Sequence, residues 1–235
     1  MNIIKKLPEN LINQIAAGEV IERPSSALKE LLENSIDAGS TEIEIFITDG
    51  GKSLIEVVDN GKGMTANDLK MCLQRHATSK ITDGDLVNIN SLGFRGEALP
   101  SIGSIAEISI DSHDMSENES WNISVMNNTL QDIVPSTIIE GTKVIIRDLF
   151  SKVPARLKFL KTNGTEVRYC REIVKHLAMS HPNIAFSFSI DAKRNFYWNK
   201  SEEINFLSTK NRLKQVMGED FLNSSVSVEE ERPGM

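Results

Sequence analysis

Two cysteines in 235 residues, Cys72 and Cys170, cannot build a disulfide framework, and neither belongs to a Cys-x-x-Cys pair that could hold structural zinc. That usage fits a reducing compartment. The four histidines, His76, His113, His176 and His181, show neither His-Glu-x-x-His nor i, i+4 spacing, so a histidine metal site is not indicated. No apolar run approaches the roughly 18 residues of a membrane span. The start of the chain, Met-Asn-Ile-Ile-Lys-Lys, lacks an apolar signal segment and a small-residue cleavage site. The expectation is a soluble, cytoplasmic protein without a membrane partner. Basic charge is also in deficit: 26 Lys and Arg against 33 Asp and Glu leave −7, so any DNA contact must be regional. What remains is an ordinary globular balance, 40% hydrophobic and 25% charged. At about 100 to 200 residues per domain, this length allows one sizeable domain or two small ones.

Periodicity organises the chain into interspersed helices and strands. Residues 10–22 suggest a short amphipathic helix within an N-terminal arm, and Pro24 opens a helix that runs to Ala38 and stops at Gly39. Thr41 to Thr48 alternates with period two, Asp49-Gly50-Gly51 signals a turn, and Ser53 to Asp59 is a second apolar run, which together predict a β-hairpin. A helix capped by Thr65 is expected through His76, then a polar loop over 78–91, a short helix from Arg95 to Gly103 and a strand over 105–112. Further strands are expected at 121–126, 130–134 and 142–148, then a basic loop at 151–164, a helix at 165–180 and a hairpin at 184–199. Hairpins exclude an all-parallel sheet, so the fold class is α/β: a two-layer sandwich with a mixed sheet and helices on one face.

Gly51-Lys52-Ser53 imitates the end of a phosphate-binding P-loop, but the glycine required six residues before the lysine is Phe46. The informative helix follows Pro24. Glu30, Glu33, Asn34 and Asp37 fall within about a 100° arc, while Leu28, Leu31, Leu32 and Ile36 take the other side. Most polar stripes of this kind are merely solvated faces. This one has only Lys29 nearby, and carboxylates three and four residues apart repel unless a cation lies over them. A carboxylate and an amide oxygen one turn apart suit Mg²⁺. Asp59-Asn60-Gly61-Lys62-Gly63 ends a strand and leads into a helix instead of a second strand, so a hairpin turn is the poorer reading. A carboxylate held there could accept a hydrogen bond from an exocyclic amine of a flat ligand. Gly93-Phe94-Arg95-Gly96-Glu97-Ala98-Leu99 is a glycine-flanked turn opening a helix, where free backbone N–H groups suit phosphates.

In this order, Glu30-x-x-x-Asn34-x-x-Asp37, Asp59-x-Gly61-x-Gly63, Gly93 to Leu99 and Gly141-Thr142 resemble the four motifs of the GHKL ATPases. That group includes gyrase, the ninety-kilodalton heat-shock chaperone, histidine kinases and the MutL family. Gln14 to Pro24, Arg75-His76-Ala77-Thr78-Ser79-Lys80 and Pro154 to Leu160 narrow the resemblance to the MutL mismatch-repair family, over about residues 7–222. The resemblance implies a general base at Glu30, a Mg²⁺ ligand at Asn34 and pocket support from Asp37. It implies adenine recognition by Asp59 with Gly61, Gly63 and Thr142. A phosphate-wrapping lid over Gly93, Phe94, Arg95, Gly96, Glu97, Ala98 and Leu99 would be bordered by Thr78, Ser79 and Lys80. The implied cofactors are ATP and Mg²⁺.

The family resemblance further implies a homodimeric clamp on DNA, closed by ATP and reopened by slow hydrolysis, that works with the mismatch-recognition protein MutS and a downstream nuclease or helicase. Lys152, Arg156, Lys158 and Lys161, with Arg168, Arg171 and Lys175 on the next helix, form the local basic patch expected to touch DNA backbone. The expected organisation is an arm over 1–22, an ATPase domain over 23–200 and, over 201–235, the start of a second domain cut short. In the family a phosphate-contacting lysine comes from that second domain, so weak turnover and mostly monomeric behaviour are expected. Two other readings are a nucleotide-gated binding module without meaningful catalysis and a histidine-kinase-like catalytic domain. The latter is disfavoured because that branch typically lacks a base matching Glu30.

Overall fold

The structure, a computed structural model, describes residues 5, 7–75, 77–78, 80, 92–93 and 96–226. Within them, helices α1 (Glu9–Val20), α2 (Pro24–Asp37), α3 (Ala66–Met71), α4 (Ala98–Ile105), α5 (Pro154–Leu157), α6 (Asn163–Ser180), α7 (Phe206–Met217) and α8 (Glu219–Asn223) accompany a single mixed sheet. Its strands are β1 (Glu42–Thr48), β2 (Leu54–Asp59), β3 (Glu107–His113), β4 (Trp121–Met126), β5 (Thr129–Leu130), β6 (Val134–Pro135), β7 (Gly141–Arg147), β8 (Ala185–Ile190) and β9 (Lys193–Trp198). The order is β5-β4-β3-β7-β2-β1-β8-β9, with β6 on the outside of β4. Only β1 and β8 pair in parallel; the remaining pairs are antiparallel. The α/β class and mixed sheet expected from the sequence are present. No described helix is long and apolar enough to cross a membrane.

Period-two alternation sends one face of every central strand inward, and the register aligns those residues in rows across the sheet. Ile45, Val57, Val144 and Ile110 form one row, and Ile47, Ile55, Ile146 and Ile108 the next; all are buried. A third row runs Ile43, Asp59, Thr142, Ser112, so the apolar ladder turns polar where the strands end. Helix α2 covers this inner face with Leu28, Leu31 and Leu32, and α6 adds Cys170, Val174 and Ala178. The outer face stays half-exposed and carries the Lys143–Glu56 ion pair at 3.2 Å.

Local chemistry explains where elements depart from expectation. The run expected at 130–134 is two strands of two residues each, β5 and β6, separately paired to β4. Asn127 and Asn128 both take positive φ and close a two-residue hairpin, a geometry asparagine tolerates better than most residues. Helix α3 stops at Met71 instead of reaching His76, which lies outside the described residues. Helix α7 begins at Phe206 because Asn205 and Ser208 form a reciprocal capping box ahead of it.

Helix α7 is fastened to the sheet layer by a buried cation. Arg212, 1% exposed, donates to the carbonyls of Ala178, His181, Pro182, Ile184 and Asn199 at 2.6–3.3 Å. It thereby satisfies the end of α6 and both ends of the β8–β9 hairpin. Arg212→Met should destabilise the protein by about 3 kcal/mol, because five carbonyls lose a buried charged donor and those of Ala178, His181 and Pro182 keep only their backbone N–H partners. Arg212→Lys should recover only part, since a point charge cannot reproduce the guanidinium fork. Urea unfolding checks both, and an unchanged midpoint for Arg212→Met would refute the role.

Candidate nucleotide site

Asp59 ends β2 in the polar row and is 7% exposed. Ser35 Oγ, from the buried side of α2, donates to its Oδ2 at 2.7 Å, and the Gly61 backbone N–H donates to Oδ1 at 2.9 Å. Beside it in register, Thr142 Oγ1 lies 2.8 Å from Ser112 Oγ, which also donates to Gly141 O at 3.2 Å and accepts from Met64 N at 2.9 Å. Two glycines make this packing possible. A Cβ on Gly63 (φ +72) would come within 1.9 Å of His113 O, and one on Gly141 (φ +68) within 2.0 Å of Asp59 O. Gly61 is likewise enclosed by Ser40 and Ala38. Burial pushes the Asp59 carboxyl above the usual carboxylate range, against partial relief from its hydrogen bonds to Ser35, Gly61, Ser40 and Thr142.

The polar face of α2 borders these strand ends. Pro24 at the first turn and Gly39 at φ +76 after Ala38 bound the helix, and its buried leucines set which way Glu30, Asn34 and Asp37 point. Its carboxylates are not left to repel. Lys29 pairs with Glu33 at 2.7 Å, and Lys80 arrives from beyond α3, its Nζ 2.8 Å from Asn34 Oδ1 and 2.5 Å from Asp37 Oδ2. Asp37 also accepts from the backbone N–H groups of Leu92 at 3.1 Å and Gly93 at 3.2 Å. Asn34 Oδ1 and Asp37 Oδ2 are hard oxygen donors of the kind a small divalent cation takes, and an ammonium already lies on both. The donor set therefore fits such an ion.

Glu30, Asn34, Asp37, Asp59, Gly61, Gly63, Lys80, Gly93 and Thr142 thus gather around α2 and the ends of β2 and β7. Thr78 Oγ1 accepts from Lys80 N at 3.2 Å. Gly96 (φ +61) packs so closely on Ala77 that a Cβ would lie 2.4 Å from its carbonyl, which brings the start of the Glu97, Ala98, Leu99 segment against the Lys80 segment. Ser79, Phe94 and Arg95 lie outside the described residues. Ser35, Ser40 and Ser112 were not among the residues singled out from sequence. Their signal was a hydroxyl in an apolar phase: Ser35 follows Leu31 by four on the core side of α2, and Ser112 continues Ile108, Ile110.

The basic residues divide into two groups. Lys152 Nζ donates to Gly103 O at 3.0 Å and Ala106 O at 2.8 Å at the end of α4, where burial pushes its pKa down. Arg156 donates to Ile21 O at 3.3 Å, lies over Phe150 and fills the space beside Gly18. Arg171 is half-buried, its Nε without a partner among the described residues, and Lys175 pairs with Glu172 at 3.2 Å. Lys158, Lys161 and Arg168 are exposed.

Residues 21–148 match the family model described as histidine kinase-, DNA gyrase B-, and HSP90-like ATPase. The chain belongs to this ATPase family. Within it, similarity runs to DNA mismatch repair protein MutL. The chain is 47% identical to that of Bradyrhizobium sp. (strain ORS 278) over 97% of its own length and 37% of the relative's. It is 46% identical to that of Rhodopseudomonas palustris (strain BisB18) over 99% and 39%. It therefore spans well under half the length of these relatives. Among solved structures, the Aquifex aeolicus MutL ATPase domain complexed with ADP matches with a TM-score of 0.69 at 31% identity, covering 84% of this chain and 70% of that one. The N-terminal domain of a DNA repair protein matches with a TM-score of 0.71 at 28% identity, covering 88% and 60%.

The raised pKa of Asp59 has a testable sign. With the folded pKa above the ordinary aspartate value, the ionised form costs stability at neutral pH, and that cost disappears as pH falls through the folded pKa. Ligand-free wild type should therefore gain stability relative to Asp59→Asn as pH falls from 7 towards 4, on top of a fixed offset from the acceptor that the amide nitrogen removes. Urea titrations at several pH values report this; a variant gaining on wild type in acid would contradict it.

Proposed function

We propose that this chain is the ATP-binding, slowly ATP-hydrolysing module of a MutL-type DNA mismatch repair protein, a nucleotide-gated dimeric clamp on DNA. The observation that carries the reading is Asp59. A carboxylate buried at a strand end, held on one oxygen by Ser35 and on the other by the Gly61 amide, is a preorganised acceptor for an adenine amino group. Thr142 sits beside it, and the close packing at Gly63 and Gly141 shapes the pocket for a flat base. ADP in the similar Aquifex aeolicus domain supports the same ligand class.

Along α2, phosphates would extend past Asn34 and Asp37. Glu30 lies on the same polar face one turn before Asn34, placed to take the proton of an attacking water. Mg²⁺ held through Asn34 would neutralise phosphate charge, and the protein's own share is positioning and electrostatics. Gly93, Gly96, Glu97, Ala98 and Leu99 are proposed to lie along the phosphates, with Thr78 and Lys80 at their border.

DNA is assigned to the exposed cations Lys158, Lys161 and Arg168, which would meet phosphates without sequence preference. Lys152 and Arg156 serve that surface indirectly, by fixing α4 and the arm beneath it. A second subunit, MutS and a downstream nuclease or helicase are the proposed partners of the longer protein.

Calorimetry with a non-hydrolysable ATP analogue, with and without Mg²⁺, tests the pocket: Asp59→Asn should bind none, and retained affinity would overturn the adenine assignment. Glu30→Ala should keep nucleotide affinity while phosphate release falls about 10²- to 10⁴-fold, the usual share of a general base. Equal release from both chains would remove Glu30 from the chemistry. For DNA, Lys158→Ala and Lys161→Ala should each lower the slope of log affinity against log salt by about one. Lys152→Ala should leave the slope alone and cost about 1–3 kcal/mol of stability, because two carbonyls lose their donor. Anisotropy over a salt series, beside thermal melts, distinguishes them.

A further inference from the structure

Lys80 occupies a peculiar position for a residue at the border of a phosphate site. Its ammonium lies directly on the two oxygens, Asn34 Oδ1 and Asp37 Oδ2, that are best suited to a divalent cation. The side chain is only 22% exposed and that of Asp37 10%, so this contact is more than a screened surface pair. Space for it comes from Gly93, where a Cβ would stand 3.4 Å from the ammonium and 3.8 Å from Asn34 Oδ1. Asp37 is fully engaged: Oδ1 accepts from Leu92 N, and Oδ2 from both Gly93 N and Lys80. Lys29 on Glu33 neutralises another carboxylate of the same helix face.

Building on the nucleotide reading above, we infer that Lys80 is a stand-in cation: its ammonium holds the metal's oxygen pair until metal and phosphate arrive together. A metal ion at about 2.1 Å from an oxygen cannot share that oxygen pair with an ammonium, because the two positive charges would be in contact. Bare metal therefore has to expel Lys80 from Asp37 into water and gains little. Metal that arrives with a nucleotide brings phosphate oxygens, which give the displaced ammonium a new anionic partner within reach of its flexible stem. The exchange makes cation entry conditional on nucleotide and keeps the acidic face of α2 neutralised in the meantime. Lys80 acts here through Asp37 and Asn34, as a positioning residue.

The test uses Mn²⁺ alone, without nucleotide, with the free ion counted by electron paramagnetic resonance. Wild type should bind weakly. Lys80→Met, and Lys80→Gln run beside it in case one variant folds poorly, should bind Mn²⁺ at least tenfold tighter, and adding Asp37→Asn to either should return affinity to the wild-type level. An unchanged affinity in both folded Lys80 variants overturns the inference, whether both chains bind or neither does. So does a gain that survives Asp37→Asn, which would place the ion elsewhere. Binding of ADP to wild type without metal is measured separately: its absence would remove the nucleotide reading, while the Mn²⁺ comparison would still decide whether Lys80 holds a cation's place.

Discussion

The hydrogen bond from Ser35 Oγ to Asp59 Oδ2 couples the helical layer to the sheet at the one point where the apolar rows end. Packing of Leu28, Leu31 and Leu32 already restricts how α2 can rotate, but apolar contacts tolerate sliding that a short charge-assisted bond does not. With the phase of the helix fixed at Ser35, each residue on its far side is fixed as well, at about 100° per residue. Asn34 and Asp37 therefore cannot be placed independently of Asp59. One rigid element sets the distance between the Asp59 carboxylate and the oxygens of Asn34 and Asp37, as precise sites on regular scaffolds require.

That economy has an electrostatic cost. Three carboxylates on one helix face and a fourth desolvated at the strand end are an unfavourable concentration of charge. The chain relieves it from several directions: Lys29 within the helix, Lys80 from the segment after α3, and backbone N–H groups of Leu92 and Gly93. The arm is tied down by comparable means. Asn13 O accepts from Arg75 and Ser104 at 3.4 Å, and Ile21 O accepts from Arg156. Helix α1 thus rests on the very elements that flank the site.

Much of this was readable from local pattern. The polar arc of α2, the β1–β2 hairpin and the strand-end position of Asp59 all follow from periodicities of 3.6 and 2.0 and from turn residues, which depend on near neighbours in sequence. What escaped depends on distant neighbours. Nothing near Lys80 indicates Asn34, forty-six positions away, as its partner. Lys152 and Arg156 looked like free surface charge because their acceptors are backbone carbonyls, which carry no sequence signature. Ser35 and Ser112 are small enough to pass as filler among isoleucines and leucines, and Asn127-Asn128 is a weaker hairpin signal than Asn-Gly.

Arg212 carries a mechanical implication. It grips the last carbonyls of α6, a continuous helix of 18 residues and therefore about 27 Å long. Near the opposite end of that helix, Glu166 is buried beside Arg23, whose guanidinium lies over the Tyr169 ring. Arg23 is the residue that enters α2. One helix therefore carries the anchorage of α7 at its last turn and the neighbour of the α2 entry at its first, so the two outer helices share a single continuous support.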